Sequence, residues 1–326
     1  MKQRIAAMRV LVAIDNQPSS RATVDALVKM HWYEGTEIAL VTVLAQNEEA
    51  AGPGEEPSAH YEEMENLAVE LRNRLKQCNV TFFARHGDPK TVITDLAEHS
   101  GADLVVVGSN CKSTLERVLL GSVSQSIINS APCPVIVAKT PCFFAQENVP
   151  AFQNILFPVD DSIFSEASAH WLGNFRWSMN TNLTLLAVVE LDTDFDQVQL
   201  SLDNRARALS RYFNPDKIFT KIVKGQPEQS ILDAAKKGHA DLIVMGSHGH
   251  AGFKKLILGS VSQAVSHAAP CAVAIVRGLA GEDRSLKRTA TFEKIKIAPR
   301  NDTAMEAGNG GLYNNMSSVH SMPGGF

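Results

Sequence analysis

Apolar positions fall along the chain in two kinds of run. The first kind is mostly apolar and four to seven residues long, at 9–14, 38–44, 80–85, 104–107 and 135–138. It returns at 155–159, 183–189, 217–223, 242–245 and 273–276. Runs this short and this uniform read as strands buried on both faces. The second kind recurs every three or four positions. Val24, Leu27 and Val28 share one helical face within 19–30, and Met64, Leu67, Leu71 and Leu75 do so within 61–77. Pro89 stands where a helix starts, ahead of Val92, Ile93 and Leu96. Further helices are predicted at 122–130, 165–174, 196–213, 227–237 and 260–268. Strands alternating with helices predict an α/β protein with parallel sheets covered on both faces.

The order is run through twice. Residues 103–133 (DLVVVGSNCKSTLERVLLGSVSQSIINSAPC) and 241–271 (DLIVMGSHGHAGFKKLILGSVSQAVSHAAPC) align without a gap at an offset of 138, and 14 of the 31 pairs are identical. HGDP at 86–89 pairs with KGQP at 224–227, and LVAID at 11–15 resembles LFPVD at 156–160. The chain is thus read as a tandem duplication. Copy one takes residues 1–140, a linker between Pro141 and Pro150 takes 141–152, and copy two takes 153–278. Residues 46–58 (QNEEAAGPGEEPS) read as an acidic loop. Residues 279–326 have no counterpart in copy one and, poor in core formers, read as a disordered tail. Six Lys or Arg against three Asp or Glu at 279–300 suit a docking tail, with Ser285, Thr289 and Thr291 as phosphorylation candidates, or simply a solvated one.

With 326 residues the chain is long enough for two cores. A net charge of −4 argues against a general nucleic-acid binder. No apolar run approaches the ~18 residues of a membrane span. Asp15 interrupts the apolar start too early for a signal peptide, so no membrane insertion and a cytoplasmic location are expected. Five cysteines (Cys78, Cys111, Cys133, Cys142 and Cys271) at unpatterned spacings suggest buried or incidental thiols rather than disulfides or a zinc site.

Candidate chemistry sits at strand ends, where doubly wound sheets bind ligands. After the strand at 242–245 comes Gly246-Ser247-His248-Gly249, then nine residues, then Gly259-Ser260. Glycines let a backbone approach phosphates closely, and successive amides form an anion nest. Gly259 and Ser260 open a helix whose free amides favour an anion, with hydroxyls at Ser260 and Ser262. Asp160 ends the first strand of the same copy. Taken singly, a loop glycine often serves turn geometry, and an Asp before Asp161-Ser162 often caps a helix. His248 and His250 lie on the loop, but no Cys or carboxylate completes a metal set, and no catalytic residue is assigned. No G-x-S-x-G or GxGxxG follows a strand.

VDDS at 159–162, LLAVVE at 185–190, GSHGHAG at 246–252, LGSVS at 258–262 and APC at 269–271 resemble the universal stress protein family, and the likeness covers about 8–139 and 153–277. It implies two tandem Rossmann-like domains of the adenine-nucleotide α-hydrolase kind, each a five-stranded parallel sheet. It also implies that copy two binds ATP, with magnesium as a candidate companion. By resemblance, Pro158, Asp160 and Val188 would meet adenine, and Gly246, Ser247, His248, Gly249, His250, Gly252, Gly259, Ser260, Val261 and Ser262 would meet ribose and phosphates. Copy one keeps Asp15, Gly108, Gly121 and Ser122 but has Cys111 where copy two has Gly249. A side chain there is expected to crowd the phosphates and resist a positive φ. Lys112 could compensate, leaving a weak second site open.

The family resemblance points to a nucleotide-dependent regulator of the stress response that acts through a protein partner. Two alternatives stand beside it. One is a nucleotide-independent assembly module, in which the last strand of each copy offers a pairing edge and tandem chains form a homodimer. The other is a slow ATPase with His248 as base, a weaker case because no water-orienting group accompanies it.

Overall fold

The computed structural model describes residues 7–15, 18–44, 59–109, 120–139, 152–189, 194–249, 258–277 and 292. The first half runs β1 (Arg9–Ala13), α1 (Pro18–Val28), β2 (Glu37–Leu44), α2 (Ala59–Arg74), β3 (Asn79–His86), α3 (Pro89–His99), β4 (Leu104–Ser109), α4 (Ser122–Ser130) and β5 (Val135–Lys139). The second half repeats it as β6 (Asn154–Pro158), α5 (Ile163–Leu172), β7 (Asn182–Val189), α6 (Phe195–Leu209), β8 (Ile218–Lys224), α7 (Pro227–Lys237), β9 (Leu242–Gly246), α8 (Ser260–Ala268) and β10 (Ala272–Val276). Within each half the strands are parallel, because a helix carries the chain back between them. Val10, Leu11 and Val12 of β1 are fully buried, as a strand covered on both faces must be. Helices α1, α2, α5 and α6 pack on one face, and α3, α4, α7 and α8 on the other.

The sequence predicts two five-stranded sheets, and the structure makes one of them. Strands β5 and β10 pair antiparallel, giving the order β3-β2-β1-β4-β5-β10-β9-β6-β7-β8. The register sets Ile136 opposite Ala274, with Val137 opposite Val273 and Val135 opposite Ile275. Ile136 and Ala274 hold the same place in the repeat, so the twofold relation between the copies passes through that pair. The cause is plain: every residue of both strands is buried. An unpaired edge there would strand backbone N–H and C=O groups away from water. Both neighbours of each last strand are now taken within the chain, so these strands offer no edge to a second chain.

Side chains fasten the junction on both faces. On the α1 and α5 face, Trp32 meets Phe175 edge-on at 5.8 Å, and the Arg176 guanidinium lies 4.9 Å over the Tyr33 ring. On the other face, Lys139 is 7% exposed and its ammonium donates to the carbonyls of Ala269 (2.9 Å) and His267 (3.3 Å). Burial pushes Lys139 down from the ordinary 10.5 to about 8. Between those values the unfolded chain keeps a proton that the folded chain has shed, so stability rises with pH across that window. Relative to a Lys139→Met variant, the wild type is expected to gain about 2–3 kcal/mol between pH 7.5 and 10.5 in urea unfolding.

Among the described residues Cys78, Cys133 and Cys271 are buried and form no disulfide. Cys111, Cys142, the loop at 46–58 and most of the linker lie outside the described residues. So does the tail, except at one point. Phe292 is 2% exposed and joins the core on the α3 and α4 face. With Arg72, Cys78 and Thr81 it lines a recess of about 480 Å³ at the amino ends of β2 and β3. At this position the tail is packed, not solvated. Strand register shows why copy one has room for it: Thr81 pairs with Ala39 as Phe219 of copy two pairs with Thr184. Copy two carries its own phenylalanine, 49% exposed, where copy one has a threonine.

Candidate functional site

The predicted residues of copy two gather at the carboxyl ends of β6, β7 and β9 and at the amino end of α8. Pro158 ends β6, Val188 is next to last in β7, and Gly246 ends β9. Gly259 is the N-cap of α8, Ser260 its first residue, and Val261 and Ser262 follow. His250 and Gly252 lie outside the described residues.

Asp160 is not the helix cap. That role falls to Ser162, whose hydroxyl accepts from the Ser165 amide at 3.1 Å. Ser162 in turn holds Asp160: its amide (3.1 Å) and its hydroxyl (2.5 Å) both donate to Asp160 Oδ1. The other oxygen, Oδ2, faces the glycine loop, and a Cβ built on Gly249 would stand 2.9 Å from it. Gly249 has no left-handed φ. The expected penalty of positive φ is therefore corrected: close approach to a carboxylate, not backbone torsion, calls for glycine here.

Gly246 has a different reason. A Cβ there would meet Phe164 Cβ at 2.6 Å and its carbonyl carbon at 3.0 Å, so β9 and α5 touch backbone to side chain. Gly246→Ala is expected to cost about 1–3 kcal/mol in urea unfolding, the usual penalty of overpacking. Beyond Gly246, Ser247 donates its amide to Val276, and the Gly259 amide returns to the Ser247 carbonyl at 2.8 Å. That bond closes the base of the loop between Gly249 and Gly259. Ser262 Oγ donates to the Gly246 carbonyl at 2.8 Å and ties the first turn of α8 to β9. The N-cap Gly259 makes no side-chain cap to the opening amides of α8.

His248 is 8% exposed. Its ring packs against Phe164 at 5.0 Å, and its Nδ1 lies 3.1 Å from Ser247 Oγ. The ring is thus buried and held between Phe164 and Ser247. Among the described residues no group of three His, Cys, Asp or Glu could hold a metal. The supports Ser162, Phe164 and Ser165 were not singled out by sequence. Only Ser162 carried a signal, as a residue at capping position.

Copy one keeps the same frame. Asp15 receives the Ser20 hydroxyl at 2.9 Å and returns its amide at 2.7 Å. Gly108 presses on Ser19, Ser124 Oγ donates to the Gly108 carbonyl at 2.6 Å, and Gly121 and Ser122 open α4. Lys112 lies outside the described residues.

The model of the universal stress protein family matches residues 7–139 and again 151–277. The chain belongs to the universal stress protein family. Universal stress proteins of Mycobacterium bovis and Mycobacterium tuberculosis are 33% identical over 189 residues, which is 54% of this chain and 62% of theirs. The match thus spans less than two thirds of those curated relatives. A universal stress protein structure from Archaeoglobus fulgidus superposes with a TM-score of 0.60 at 20% identity, covering 82% of this chain and 98% of that one. The cytoplasmic domain of a prokaryotic cation chloride cotransporter superposes at 0.54 and 11% identity, covering 86% and 99%. At such identities both show the fold alone. No helix among the described residues of this universal stress protein is long and apolar enough to cross a membrane.

Proposed function

We propose that copy two binds ATP and that the chain acts as a nucleotide-dependent regulator of a protein partner. One observation carries the reading: the approach of Gly249 to Asp160, with the Gly259–Ser247 hydrogen bond behind it, sets a carboxylate and a glycine beside the amino end of α8. Asp160 suits the hydrogen-bond donors of a nucleoside, and the amides and dipole of α8 suit phosphate. Pro158 and Val188 border the side where a base would lie, and Ser260 carries a hydroxyl at the phosphate side, whereas the Ser262 hydroxyl is committed to the Gly246 carbonyl. Magnesium would arrive with the nucleotide, since the described side chains supply no cage for it. A ligand that orders the loop shifts the chain between two states by its differential affinity for them.

The test is the nucleotide content of purified protein. About one ATP per chain is expected from the wild type and none from Gly259→Asp, whose Cβ alone would stand 3.2 Å from the Ser247 carbonyl. Two per chain would mean that copy one binds as well. None, with no binding on titration, would overturn the reading. The pairing of β5 with β10 within the chain takes up the edges on which the assembly alternative relied. That pairing makes each chain a two-copy unit, and a homodimer of chains would have to use another surface.

A further inference from the structure

Helix α8 has its amino end at the proposed phosphate site and its carboxyl end beneath copy one. Lys139, the last residue of β5, reaches across the junction to the Ala269 and His267 carbonyls at that carboxyl end. The reverse arrangement is also present: Arg277, just past β10, donates to the Ile128 carbonyl near the carboxyl end of α4. Lys139 and Arg277 hold the same place in the repeat. Each last strand therefore sends a cation to the loop helix of the other copy.

Helix carboxyl ends carry unpaired carbonyls and roughly half a negative charge, so a buried cation there is held by charge-assisted hydrogen bonds. The two helices also touch, with His267 Nε2 2.5 Å from Gln125 Oε1. At the other end, Ser262 fixes α8 to β9 of its own copy. A helix this short behaves as a rod, and a shift at one end moves the other. Phosphate recognition by backbone amides tolerates displacements of only about 0.5 Å.

We propose that Lys139 of copy one is a positioning residue for the nucleotide site of copy two, holding α8 so that its first amides face the phosphates. This rests on copy two being the nucleotide site. The pairing also makes a directional claim: Arg277 serves α4 and copy one, and is not needed by copy two.

The test is ATP titration by calorimetry on the full chain with Lys139→Met, Lys139→Arg and Arg277→Met, alongside hydrogen exchange without ligand. Lys139→Met is expected to weaken ATP binding about tenfold and Lys139→Arg to recover most of it, while Arg277→Met stays within about twofold of wild type. Exchange at the amides of 260–263 should quicken in Lys139→Met but not in Arg277→Met, and at 122–125 the reverse should hold. Equal losses from Lys139→Met and Arg277→Met, or no loss from Lys139→Met, would overturn the proposal and point to a general role in the junction. If the wild type binds no ATP, the reading of copy two fails first, and unchanged exchange at 260–263 then separately refutes the clamp. Should Lys139→Met not fold, Lys139→Gln, which keeps a donor, takes its place under the same criteria.

Discussion

Gly249→Val is expected to lower the ATP affinity of copy two at least about a hundredfold, a loss of about 2.7 kcal/mol, while leaving the urea midpoint near that of wild type. The added Cβ would begin 2.9 Å from Asp160 Oδ2. Asp160 cannot simply swing away, because Ser162 holds its other oxygen through both amide and hydroxyl. Either the carboxylate leaves its nucleoside position or the loop retreats from the phosphates. Both outcomes reach binding and spare the core, since Gly249 lies outside β9 and α8. The φ of Gly249 is open to any residue. A Gly249→Ala variant therefore isolates spacing from torsion and should fall between the two. Calorimetric titration of the three proteins checks the order. If valine binds as glycine does, the Asp160–Gly249 approach has no part in recognition.

Phe292→Ala is expected to destabilise the protein by about 3–5 kcal/mol in urea unfolding, the range for a phenylalanine removed from a core. A solvated tail would predict no change at all. The difference rests on one number, the 2% exposure of Phe292, and on the threonine that makes room for it. Phe219→Ala in copy two offers the contrast. That ring is 49% exposed and its loss should cost far less.

The two strand sets could be read from sequence because burial on both faces leaves an uninterrupted apolar run, which few other settings tolerate. The repeat was equally plain at 103–133 and 241–271. The joining of the sheets was not, since edge pairing adds no periodicity. Val135–Lys139 and Ala272–Val276 look like any other buried strands, and only their register shows that Ile136 faces Ala274. At the site, residue types and spacing placed Asp160, Gly249 and Gly259 at the right strand ends. The reason for Gly249 lay elsewhere, in a contact with a carboxylate 89 residues away in sequence. Phe292 was missed for a related cause: one aromatic residue in a polar stretch carries no pattern, and its partners sit more than 200 positions earlier.

The pairing of β5 with β10 also sets a problem for synthesis. Copy one leaves the ribosome with β5 paired to β4 on one edge only, and the other edge of this buried strand still lacks its partner. Its partner is translated about 138 residues later, roughly 7–28 s at ordinary elongation rates. For that interval the nascent chain displays the kind of apolar edge that recruits chaperones or neighbouring nascent chains. Emergence of β10 ends the exposure, and the final shape of copy one is fixed only when copy two is nearly finished.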